Sequence, residues 1–132
     1  MSPSPNFEAY FGGPDQPVGR LRDLLAEHIE AVPTGGTIDW VTYYFRDRRL
    51  AEQLLRAHRR NVNVTVTLEG NPHIPDANNA VVAMLSGEEG LGKGFRAVYL
   101  PPRLPMPGRK MGKPNLHEKL YCFSHPKPVA FV

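Results

Sequence analysis

Apolar positions along the chain change period several times, and each change marks an element. Leu21, Leu24, Leu25, His28 and Ile29 recur at the spacing of one helical face, after a start at Asp15 and Pro17 and before a stop at Pro33, Gly35 and Gly36. Residues 37–45, TIDWVTYYF, are β-branched and aromatic and predict a strand, which feeds a charged helix whose face is Leu50, Leu54, Leu55 and Ala57. In 61–68, NVNVTVTL, the alternation puts Val62, Val64, Val66 and Leu68 on one side and Asn63, Thr65 and Thr67 on the other, so this is a half-buried strand. A further helix carries Ala77, Ala80, Val81, Met84 and Leu85, and a glycine-rich turn leads to a short strand over 95–100. Strand and helix alternate, which predicts an α/β fold: a layered α/β/α sandwich around a mixed, mostly parallel sheet.

Residues 101–114, PPRLPMPGRKMGKP, hold five prolines and can join neither a helix nor a central strand, so they form a loop. Strand character returns over 116–123, and an apolar run at 129–132 reaches the last residue without a turn or polar ending. The expectation is one domain over 1–132 that is a piece of a longer polypeptide. With 16 basic and 13 acidic residues the net charge of +3 is a mild excess, compatible with an anionic partner and insufficient to name one. One cysteine, Cys122, excludes an intrachain disulfide framework and fits a reducing compartment. The N-terminus lacks a signal-peptide pattern and no apolar stretch reaches membrane-spanning length, so no transmembrane segment is expected and a cytoplasmic location is favoured.

The chemistry concentrates in Leu116-His117-Glu118-Lys119-Leu120. In a strand the period of two places His117 and Lys119 on one face. Side by side, these groups do complementary work on a phosphodiester: the imidazole attacks phosphorus and the ammonium neutralises the non-bridging oxygens as charge develops. The ammonium also biases its neighbour toward the neutral, nucleophilic imidazole. Tyr43, Tyr44 and Glu69, at the carboxyl ends of predicted strands, are candidates for the pocket rim, as is Lys113 in the basic loop.

His117 and Lys119, with the strand–helix–strand stretch DWVTYYFRDRRLAEQLLRAHRRNVNVTV upstream, resemble the N-terminal half of a phospholipase D superfamily protein, whose signature is H-x-K-x-x-x-x-D followed by G-S-x-N. Ser124 stands at the aspartate position, and the G-S-x-N element would fall after Val132. The resemblance implies a metal-independent phosphodiesterase or phosphatidyltransferase lobe without a cofactor. His117 would be the nucleophile forming a phosphohistidine, Lys119 would hold phosphate, and Ser124 would support the motif. It also implies a second motif, from another half or from a second subunit across a two-fold axis, whose histidine protonates the leaving group. The substrate would be a phospholipid or a nucleic acid. The alternative of a different class is a non-catalytic module of the same fold that binds phosphate or nucleic acid through its basic face; Ser124 and the single motif favour it, and the presence of both His117 and Lys119 opposes it.

Other residues carry plainer readings. His28 and His58 are expected as partly buried packing residues and His73 as a loop residue. A zinc site at His117, Cys122 and His125 is disfavoured because Cys122 has the opposite strand parity from His117, leaving it as a small core hydrophobe. The basic loop residues Arg103, Arg109, Lys110 and Lys113 are either a solvated charge run or guides for a phosphorylated ligand.

Overall fold

The computed structural model describes residues 7–102, 104, 106–108 and 114–132. Lys113, Arg103, Arg109 and Lys110 lie outside these described residues. The elements run α1 (Arg20–Ala31), β1 (Thr37–Thr42), α2 (Arg48–Arg59), β2 (Asn63–Glu69), α3 (Asn79–Ser86), a 3-10 turn (Gly92–Gly94), β3 (Phe95–Val98), β4 (Lys119–Phe123) and β5 (Val129–Phe131). They form an α/β fold with a five-stranded mixed sheet of order β3-β2-β1-β4-β5. β1, β2 and β3 are parallel, and β4 and β5 run antiparallel to their neighbours.

The two parallel steps, β1 to β2 and β2 to β3, move in one direction across the sheet, and crossovers of one hand put α2 and α3 on the same face. Burial follows: Ile38, Trp40, Val64, Val66, Leu68 and Phe123 point into a core with Ile29 of α1, Leu50, Leu54 and Leu55 of α2, and Val81 and Leu85 of α3. The opposite face carries Asp39, Asn63, Thr65 and Arg96, all exposed, with half-buried Val41, Leu120 and Cys122 between them. All three helices therefore share one face, and the described residues do not furnish the second helical layer of a sandwich. Cys122 lies on this open face opposite Asp39 and is only half-buried, not a core residue.

Asp47 starts α2 by accepting the N–H groups of Arg49 and Leu50 at 2.9 and 3.0 Å, satisfying donors the first turn leaves over. β1 ends at Thr42 although its apolar pattern runs on to Phe45. The reason is Asn78, which is buried. Its Oδ1 accepts the Phe45 N–H at 2.8 Å and its Nδ2 donates to the Tyr43 carbonyl at 2.9 Å, so a side chain takes the place of a neighbouring strand. Asn78→Ala strands both backbone groups, and a loss of about 2 kcal/mol is expected in urea unfolding.

His28 is half-buried with its ring 5.4 Å from that of Phe123 and 4.9 Å from that of Phe131, as a packing histidine should be. His58 is exposed, because it falls on the solvent side of α2, away from the Leu50–Leu54 stripe.

Candidate active site

In a parallel α/β sheet the carboxyl ends of the strands open onto the loops that precede the helices, and ligands collect there. β1 and β2 deliver Tyr43, Tyr44 and Glu69 to that edge. β4 runs the other way, so its beginning, not its end, arrives at the same edge: Lys119 pairs with Thr42, the last residue of β1. This antiparallel arrival brings residues near 43, 69 and 117 together.

His117 lies just before β4, where the apolar pattern had placed it inside the strand. β1 offers no ladder partner past Thr42, so strand parity alone does not orient the imidazole. Two other contacts do. The buried Glu69, 2 % exposed, accepts the Leu116 N–H through Oε2 and the Asn71 N–H through Oε1, pinning the residue before His117 across the end of β1. The Tyr43 ring then packs on the imidazole, with centroids 5.2 Å apart. His117 and Lys119 both remain exposed, and among the described residues neither forms a salt bridge. Between them the Glu118 carboxylate accepts the Lys119 backbone N–H at 3.2 Å; chemically, an exposed imidazole and an ammonium at one edge can offer a nucleophile and a cation to an anion.

Tyr43 and Tyr44 are more than rim residues. Their hydroxyls accept the His73 and Ile74 N–H groups, so they hold the loop between β2 and α3 over the strand ends. The two rings meet edge to face at 4.4 Å, and the Arg46 guanidinium lies 4.6 Å above Tyr44. Arg46, Tyr44, Tyr43 and His117 thus form a continuous row from cation to imidazole. Arg46 did not figure among the expected site residues; its only sequence signal was its place directly after the strand's aromatic run.

Ser124 lies at the other end of β4. Its Oγ accepts the Thr37 N–H at 2.8 Å and lies 2.7 Å from His125 Nδ1, while its own N–H donates to the Thr37 carbonyl at 3.0 Å. It clamps the start of β1 to the end of β4, a task an aspartate oxygen at that position would also perform. Ser124 therefore acts on the site only through the strand register that places Lys119.

Glu69→Gln turns an amide NH2 toward one of the two backbone N–H donors. A destabilisation of about 1–3 kcal/mol is expected, with faster amide exchange at Leu116 as the local signature.

Burial pushes the Cys122 thiol up, and the Asp39 carboxylate adds to the effect, both disfavouring the thiolate. Among the described residues no group of three or more His, Cys, Asp or Glu side chains is arranged to hold a metal ion. No helix among them is long and apolar enough to cross a membrane. No protein-family model, curated protein or solved structure matches this chain.

Proposed function

We propose that the chain is one lobe of a phospholipase D-like, metal-independent phosphodiesterase, with His117 as the nucleophile and Lys119 as the phosphate-holding cation. The observation that carries this reading is the placement of both groups, exposed and, among the described residues, outside any salt bridge, on an edge where Glu69 and Tyr43 hold the histidine segment. His117 attacks phosphorus and displaces the first alcohol, giving a phosphohistidine; water or a second alcohol then releases the phosphoryl group and regenerates the imidazole. The Lys119 ammonium offsets the charge that builds on the non-bridging oxygens in both steps. Protonation of the leaving oxygen falls to a histidine of a second motif, supplied by another half or a second subunit.

The test is hydrolysis of bis-(p-nitrophenyl) phosphate in the presence of EDTA, with an alkaline denaturing quench to trap the acid-labile phosphohistidine. Turnover that survives chelation and a phosphorylated peptide containing His117 are the expected results. A second reading, a phosphate-binding module without turnover, draws on Ser124 at the aspartate position; affinity for polyanions that falls steeply with salt, without hydrolysis, would select it.

A further inference from the structure

Tyr99 follows β3 and sits at the same carboxyl edge, one strand beyond Glu69. Its ring lies on Gly70: a Cβ built there would be 2.6 Å from Cζ and 2.7 Å from each Cε. Near-equal distances to these three atoms put the glycine over the face of the ring rather than its edge. No residue but glycine leaves room for this approach, and the φ of Gly70 is not positive, so backbone freedom does not explain the glycine. The Gly70 N–H donates to the Val98 carbonyl at 2.7 Å and fixes the seat against β3. One face of the ring is thus occupied by backbone, yet the residue is 71 % exposed, so the other face is open to solvent. A tyrosine ring with one face backed and the other open offers a flat surface on which a second ring can stack.

Cations follow β1 on the same side of the sheet. Arg46 is exposed above Tyr44, and Arg48 and Arg49 are exposed in the first turn of α2, where the helix dipole disfavours positive charge. Among the described residues none of the three forms a salt bridge. With Lys119 on β4, the carboxyl side of the sheet carries four such cations, and Tyr99 presents a flat ring on the same side at β3, so a strand lying across the edge would meet both. Single-stranded polynucleotides are bound by this combination of successive cations for the backbone and aromatic faces for the bases.

We infer that Tyr99, seated on Gly70, is a nucleobase-stacking platform that directs the His117–Lys119 site to single-stranded nucleic acid. This rests on the phosphodiesterase reading for the chemistry, but the platform is tested separately. The experiment compares binding of a fluorescent deoxyadenosine oligomer with that of an abasic oligomer of equal length and charge, by anisotropy, on His117→Ala protein so that nothing is consumed. The base-bearing strand is expected to bind about tenfold more tightly. Tyr99→Phe keeps this preference, while Tyr99→Ala, and Gly70→Ala by displacing the ring, remove it. Equal affinity for the two oligomers overturns the platform, as does binding to anionic phosphatidylserine vesicles with none to either oligomer, which would direct the exposed Leu104 and Met106 toward lipid instead. The p-nitrophenyl assay on the unsubstituted chain reads the other link: base preference without turnover sinks the phosphodiesterase reading and leaves the platform, whereas turnover without base preference does the reverse.

Discussion

Replacement of His117 by alanine is expected to lower phosphodiester turnover by on the order of a thousandfold or more while leaving the unfolding midpoint unchanged. The imidazole is exposed and makes one ring contact, with Tyr43, so its removal opens no buried cavity. Of the other exposed loop histidines, His125 lies beside Ser124 at the far end of β4, while His73 is bonded through its backbone to Tyr43 on the same side as His117, so His73→Ala is the control that separates the two imidazoles. Lys119→Ala should also reduce turnover, through loss of charge stabilisation, but the phosphohistidine should still form slowly and be trapped. A His117→Ala protein that keeps wild-type turnover would remove His117 from the mechanism.

The largest expected effect on stability is at Phe123. Phe123→Ala should cost about 3–5 kcal/mol, read as a lower urea midpoint with an unchanged slope. The side chain is 2 % exposed, lies across from Ile38 on the β1–β4 ladder, and touches the rings of His28 and Phe131, so it ties α1, β4 and β5 to the centre of the sheet. Truncation leaves a void that three different elements would have to close together. Because β4 also presents Lys119, turnover should fall along with stability, in contrast to His117→Ala, where the two are separated. A loss below about 1 kcal/mol would mean that this corner of the core repacks freely.

The alternation in 61–68 was sufficient to read β2 and its buried face, since each of Val64, Val66 and Leu68 is internal and the strand period admits one orientation. The leucine spacing of α2 was equally direct. What the pattern could not convey was where strands stop. Tyr43 and Phe45 are good strand residues, and only a partner 33 positions away, Asn78, ends β1 before them. That the described helices all cover one face of the sheet was also hidden, because amphipathic helices look alike whichever side they pack on; strand order decides it. At the site, His117, Lys119, Tyr43 and Glu69 were nameable from residue type and strand ends. Glu69 had been read as a rim residue, yet its carboxylate is turned onto backbone N–H groups, an interaction between positions 69 and 116 that no local pattern encodes. Gly70 carries no local pattern of its own, and the close approach it permits involves a ring 29 residues later in the chain.

The tether between Glu69 and Leu116 has a bearing on how such a protein can diversify. The segment entering β4 is located from both sides, by the Lys119–Thr42 register and by a carboxylate on β2, so the geometry of the histidine is uncoupled from the length of the proline-rich connection before it. Loop closure costs rise only slowly with length, by about 0.6 kcal/mol for each doubling. A change of chain length between β3 and β4 is therefore expected to cost little stability and to leave His117 and Lys119 at the edge. Two anchors far apart in sequence thus fix one position at the sheet edge, and chain length between them is left open to change.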